Sequence, residues 1–321
     1  MSPTLRGALL SLAAFAFYAT HDVVVKYLGG TYSAFQTMFF AGLMGFPLVT
    51  ILLLSDRRDG TLIPRHPWWT ALRTVSAVVT GAMGFYAFSV LPLATSYAIF
   101  FAMPLLITLM AIPMLGEKVG IRRGIAVMIG LLGVLIVVRP GGGDGFSLGH
   151  LAALGAATTG SLSSVIVRKI GREERSVVLM LYPMVLTFVA TGALMPFVYQ
   201  PMPVTDLSLT AVMAFLGTLG ALASIAAYRI APAVIVAPMQ YSQILWAAVY
   251  GWIFFGEAVD VYTAVGSSVI IASGIYIVLR EGTPSVSQNR PVLENRSRWE
   301  IGTFPRVSTW LKRLDRGGDQ A

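Results

Sequence analysis

The sequence predicts an all-α integral membrane protein of ten transmembrane helices, built as two five-helix halves inserted in opposite orientations, with both termini cytoplasmic. Three observations predict it. Of 321 residues, 56% are hydrophobic and 12% charged, too few charges to coat a soluble surface. The apolar residues fall in blocks of about 20, which at 1.5 Å per residue cross roughly 30 Å of hydrocarbon. The basic residues lie between blocks, at alternate turns of the chain.

In order, the blocks place spans near 7–28, 33–54, 70–90, 94–115 and 121–138, and, after the glycine-rich break Gly141–Gly145, near 148–167, 177–198, 208–228, 233–255 and 261–280. The first block follows only Arg6 and has no small-residue cleavage site clear of the helix, so a retained span is expected rather than a signal peptide. With the N-terminus inside, all of the 23 Lys and Arg except Lys26 and Arg139 fall on the cytoplasmic side. A miscounted span would scramble that distribution.

An odd number of spans per half means that a duplicated half enters the membrane inverted, and traces of a duplication are present. Pro92 and Pro232 open spans 4 and 9, and Gly116-Glu117 and Gly256-Glu257 close them, each pair 140 residues apart. Around spans 1 and 6, KYLGG and RKIGR align at an offset of 142. The expected division is 1–140 for the first repeat, 146–281 for the second and 282–321 for a basic cytoplasmic tail. That tail is polar at first. Its end interleaves Trp299, Phe304, Trp310 and Leu311 with Arg298, Arg306, Lys312 and Arg313, as in a segment on an anionic membrane surface; Pro305 interrupts any helix, and a flexible tail is the alternative.

The absence of cysteine excludes disulfides, thiolate metal sites and a Cys nucleophile while leaving the redox compartment open. His21, His66 and His150 are far apart, so no zinc site is expected. The net charge of +8 reads as a topology signal, and no nucleic-acid partner is expected. GGGDG lacks the Lys-Ser/Thr ending of a phosphate-binding loop, and neither nucleotide-driven transport nor a cofactor is expected.

The segments LPLATSYAIFFAMPLLITLMAIPMLGEKVGIRRGIAVMIGLLGVLIVVRP and APAVIVAPMQYSQILWAAVYGWIFFGE resemble the EamA repeats of the drug/metabolite transporter superfamily, with the resemblance covering about residues 7–281. It implies a ten-helix secondary carrier with a central cavity between inverted halves, working by alternating access in a bacterial-type inner membrane. Pro104 supplies the family's mid-span proline in the first half. In the second, the position 140 residues on is Ile244, and the nearby proline is Pro238, so the two cavity walls are expected to differ. HDVVVKYLGGTYSAFQTMFFAGLMG and Arg73 resemble bacterial uptake members, among them S-adenosylmethionine and riboflavin importers. Riboflavin is the first specific expectation, with S-adenosylmethionine, amino acids or drugs as alternatives.

Asp22 is the acidic residue placed well inside a span, where carboxylates are costly and usually functional. It either binds a cationic group or a coupling proton, or forms a helical pair with Lys26 four residues on. His21 is a proton-relay candidate or a hydrogen-bonded helix contact, pointing about 100° away from Asp22 around the helix. Arg73, at the cytoplasmic end of span 3, either meets an anionic substrate group or anchors the helix. In span 9, Gln240, Tyr241, Gln243 and Trp246 suit a flat, hydrogen-bonding solute, with Tyr97, Phe100, Phe101 and Met103 of span 4 as the facing wall; interhelical bonding or lipid contact is the other use of such residues. Glu117 and Glu257 stand where a helix begins, a structural position. The expected partners are a small-molecule substrate and the lipid bilayer. The oligomeric state is left open, and a monomer is compatible with the sequence. A lipid-modifying membrane enzyme would require paired carboxylates, a His cluster or an activated Ser, of which only isolated candidates exist; a non-transporting scaffold has little loop surface to work with.

Overall fold

The computed structural model describes residues 3–54, 62–116, 120–139, 146–171, 173–174, 176–231 and 233–281. Glu117, Gly141–Gly145, Pro232 and the tail from 282 lie outside them. Among the described residues the chain is helical throughout: α1 Pro3–Gly29, α2 Ala34–Leu54, α3 Pro67–Val90, α4 Leu93–Phe100, α5 Met103–Leu115, α6 Ile121–Val138, α7 Leu148–Ile170, α8 Ser176–Val198, α9 Val204–Ile230, α10 Ala233–Val236, a 3-10 turn Ala237–Tyr241, α11 Ser242–Phe255 and α12 Val261–Glu281. Eight of the described helical segments are long and apolar enough to cross a membrane by length and composition, with α4 and α5 together making one of them.

The segments expected as single spans 4 and 9 are both broken. In the first, Phe101 and Ala102 separate α4 from α5; Ala102 donates to the Ile99 carbonyl in a tightened turn, and Pro104, having no N–H, follows at the start of α5. In the second, the break is the 3-10 turn that contains Pro238. Both broken segments end alike. Gly116 (φ 69°) and Gly256 (φ 64°) adopt the left-handed conformation that terminates a helix without Cβ strain, and each donates its amide back into the last turn.

Helix pairing repeats between halves. α1 lies against α9 as α7 lies against α3, α2 against α9 as α8 against α3, and α1 against α11 as α7 against α5; α2–α8 and α6–α12 pair across the middle. At the α6–α12 crossing the backbones touch: a Cβ on Gly133 would stand 2.8 Å from the Gly266 carbonyl, and one on Gly266 would stand 2.6 Å from that of Gly133.

Contacts between helix ends sort into two sets. In one, Tyr32 donates to Asp206 at 2.6 Å, Gln36 and Gln200 exchange hydrogen bonds at 2.7 and 2.8 Å, Lys26 meets Glu257 at 2.7 Å, and Arg139 pairs with Asp260 while its guanidinium lies 3.9 Å from the Tyr262 ring. The hydrogen bond to Asp206 holds the Tyr32 phenol up at about 12. Burial works to raise the Asp260 carboxyl, but hydrogen bonds from Thr263 and the nearby Arg139 outweigh it and hold the group below its ordinary value. In the other set, His66 meets Glu173 at 2.7 Å and donates its amide to Glu174, Lys169 donates to the Met114 carbonyl at 3.1 Å, and Ser11 of α1 donates to Val236 at 3.2 Å. Lys26 and Arg139, the two basic residues that depart from the charge pattern, are thus each neutralised by a carboxylate of the second half.

Candidate functional site

α1 carries His21 and Asp22 into the interior, where they are 4% and 1% exposed. Side chains one residue apart point about 100° apart, which gives the expectation that these two do not meet. They do meet. The imidazole Nδ1 and the Asp22 Oδ1 are 2.8 Å apart. From α4 the Tyr97 hydroxyl donates to Asp22 Oδ2, so each carboxylate oxygen has its own partner. Gln243, on the first turn of α11, reaches the Tyr97 oxygen at 3.5 Å. Three helices therefore converge on one buried carboxylate.

The junction is walled by rings. Phe88 lies edge-on to Tyr97 and Phe100 with centroids 5.4 and 5.2 Å away, and Phe101 meets Tyr241 at 5.0 Å and 83°. Phe101 stands at the break of one discontinuous helix and Tyr241 at the end of the break in the other, 140 residues apart in sequence. The two breaks touch each other beside Asp22. Tyr241 is 5% exposed, and its hydroxyl occupies the space over Gly274 of α12, where any Cβ would collide with it.

A clamp closes one end of this junction. Lys26, one turn beyond Asp22, bonds Glu257 at 2.7 Å and the Leu91 carbonyl at 2.5 Å, and its ammonium lies 5.3 Å from the Phe255 ring. Glu257 in turn accepts the Leu93 amide at the start of α4, at 3.1 Å. The expected Asp22–Lys26 helical pair is replaced by this link, because a carboxylate on another helix lies within the lysine's reach and His21 and Tyr97 already occupy Asp22. The carboxylate of Glu257 caps α4, which lies far from it in sequence, instead of the helix that follows it.

The remaining candidates are elsewhere. Arg73 is 1% exposed and donates to the Leu179 carbonyl of α8, away from the helices that hold Asp22. Trp246 is half-buried on α11, in a tilted contact with Tyr250 at 5.9 Å, and Gln240 is half-buried on the 3-10 turn. Tyr250 and Thr20, which were not among the expected residues, bond at 3.2 Å and add a second α1–α11 link. Nothing in the local pattern separates Tyr250 from a lipid-facing aromatic.

The equivalent junction of the second half is filled differently. At the offset of 142, His21 and Asp22 correspond to Ser163 and Ser164 of α7, which are equally buried. Ser164 satisfies its hydroxyl within its own helix, on the Gly160 carbonyl at 2.8 Å, and the nearby cross-helix bond is the neutral Thr80–Thr159 pair at 2.8 Å.

The sequence pattern of the EamA-like transporter family matches this chain twice, over residues 5–139 and 147–280. Among similar proteins, an S-adenosylmethionine uptake transporter of Rickettsia bellii is 24% identical over 82% of this chain and 90% of its own. A pseudopaline exporter of Pseudomonas aeruginosa is 24% identical over 84% and 94%. A riboflavin transporter of Rhizobium johnstonii is 27% identical over 86% and 91%. One solved structure, 19% identical, superposes with a TM-score of 0.52 over 88% of this chain and 99% of its own, a likeness of fold.

Proposed function

The chain belongs to the EamA-like transporter family, and from that premise we propose that it is a secondary carrier of ten membrane-crossing helices. In this reading the two five-helix halves, 1–140 and 146–281, are inverted relative to one another. Both termini face the cytoplasm of a bacterial-type inner membrane. A small organic solute is passed by alternating access, and riboflavin uptake is the first specific reading.

The observation that carries this reading is the meeting of both broken helices at a single buried junction, where Phe101 touches Tyr241 and Gln243 reaches Tyr97. Broken helices free backbone groups and give local hinges inside an otherwise stiff bundle, and carriers place solute sites at such breaks. Tyr97, Phe101, Tyr241 and Gln243 offer ring faces with one amide and phenolic hydroxyls, the complement of a flat heteroaromatic solute with hydrogen-bonding edges. The junction is closed in this conformation, so the clamp of Lys26 and Glu257 or the opposite end of α1 and α10 has to part for a solute to enter.

A second reading is S-adenosylmethionine, supported by the Asp22 carboxylate next to aromatic faces, which suits a sulfonium or ammonium group. Purified protein in vesicles preloaded with unlabelled solute distinguishes the two. Counterflow of labelled riboflavin and not of S-adenosylmethionine is expected. Exchange of the sulfonium compound alone selects the second reading, and exchange of nothing across a broad metabolite panel refutes the carrier.

A further inference from the structure

We propose that the His21–Asp22 pair is the proton-coupling site of this carrier, loading and releasing one proton for each solute moved. The inference rests on the carrier reading and adds the ion that drives it. Its first support is an internal control. α1 pairs with α9 and α11 as α7 pairs with α3 and α5, yet at the positions of His21 and Asp22 α7 carries the buried Ser163 and Ser164. Those shared pairings thus form without a carboxylate at this position. Burying one is costly, and a buried ion pair is often replaceable by apolar groups without loss of stability. What the serines cannot do is hold a proton.

The second support is the wiring of the pair. Asp22 gives one oxygen to His21 and the other to the Tyr97 hydroxyl. A proton arriving at the pair resides either on the imidazole or on the carboxyl. When it resides on Oδ2, the carboxyl donates to the Tyr97 oxygen instead of accepting from it, so the bond tying α1 to α4 reverses direction and the phenol proton has to find another acceptor, four residues before the break at Phe101. Tyr97 is also the atom that Gln243 reaches from the second broken helix. Proton occupancy of Asp22 is therefore coupled to the attachment of both hinges. The proton enters from one side and leaves on the other with no covalent step.

The charged and polar groups near the pair are held by partners of their own. On its own helix Lys26 is held by Glu257; α4 presents Tyr97; α11 presents Gln243, with Tyr250 bonded to Thr20; the 3-10 turn presents Tyr241; α3 presents Phe85, edge-on to the His21 ring at 6.3 Å. On α9, Asp206 is held by Tyr32. A single buried pair of this kind among the described residues makes one proton per solute the expected stoichiometry.

The test uses full-length protein in vesicles with an entrapped pH dye and labelled riboflavin. The parent is expected to accumulate solute under an imposed pH gradient and to move one proton per solute. Asp22→Asn is expected to lose gradient-driven accumulation by about tenfold while counterflow exchange falls by no more than about threefold. His21→Gln is the second variant, expected to show the same split if Asp22→Asn does not fold, with folding checked by thermal shift. Gradient-driven accumulation by Asp22→Asn at the parental level overturns the proposal. So does parental exchange without proton movement, and so does loss of exchange in both variants when folded, which would make the pair a solute contact. A parent that exchanges no solute refutes instead the carrier reading on which the proposal stands.

Discussion

At the α1 junction a buried carboxylate holds an imidazole of its own helix and a phenol of α4, which an amide of α11 reaches in turn, whereas at the α7 junction Ser164 turns back to its own helix and Thr80 and Thr159 make a cross-helix bond. The pairings of α1 with α9 and α11 recur as those of α7 with α3 and α5, whereas the α1–α3 and α4–α11 contacts have no comparable counterpart among the described residues. The difference teaches that shared helix pairings and side-chain chemistry are separable in this molecule: the recurring pairings form around buried serines in one copy and around an imidazole, a carboxylate and a phenol in the other. The breaks show the same division, since Phe101 and Tyr241 meet as equivalents but only Tyr241 carries a hydroxyl and rests on a glycine.

Seven substitutions sharpen or break this comparison. The largest effect on stability is expected from Asp22→Ala, which leaves His21 and the Tyr97 hydroxyl buried without their acceptor and costs about 3 kcal/mol; Ser164→Ala at the counterpart costs about 1 kcal/mol or less. Thermal unfolding in detergent compares them, and equal losses would erase the distinction. Gly274→Ala is expected next, at about 1–3 kcal/mol, because its methyl collides with the Tyr241 ring and hydroxyl; Tyr241→Phe in the same chain should recover part of that loss. At the position 140 residues earlier, Val134 already carries a side chain, so the first half has no such constraint. Gln243→Leu is expected to lower solute exchange about tenfold with little loss of stability, while Met103→Leu, its counterpart, stays near the parental rate.

The smallest effect concerns Arg139 and Asp260. A carboxyl held below its ordinary value stabilises the folded state above that value, and the contribution disappears as pH falls through the lowered one. The melting temperatures of the parent and Asp260→Asn should therefore differ at neutral pH and converge in acid. The difference is small because Asp260 is 43% exposed and solvent screens the pair. Divergence in acid would contradict the assignment.

Much of the fold was legible because hydrocarbon length and charge placement are properties of the chain itself. The blocks expected at 94–115 and 121–138 correspond to α4–α5 and α6, and Gly116 and Gly256 do close the broken segments they were read as closing. The breaks were less visible: Pro104 and Pro238 marked them, but an apolar run reads as continuous whether its hydrogen bonds run to the fourth residue or the third. The site was partly legible. Tyr241 and Gln243 were read as a cluster facing Tyr97, and Asp22 and His21 as separate candidates; the structure joins the two groups through Tyr97. Their connections depended on tertiary distance. Local helix geometry pointed Lys26 at Asp22 and His21 away from it, and both readings failed because α4 and α11 offered nearer partners. Arg73 carried the same sequence signal as a ligand-binding arginine, and the structure buries it and has it donate to the Leu179 carbonyl of α8.

The most direct test of the central claim is riboflavin counterflow by the parent, Gln243→Leu and Ser163→Ala in parallel vesicles at equal protein content. The account predicts exchange by the parent, loss of about tenfold at Gln243 and near-parental exchange at Ser163. Undiminished exchange at Gln243 together with loss at Ser163 would place the working site at the other junction and contradict it.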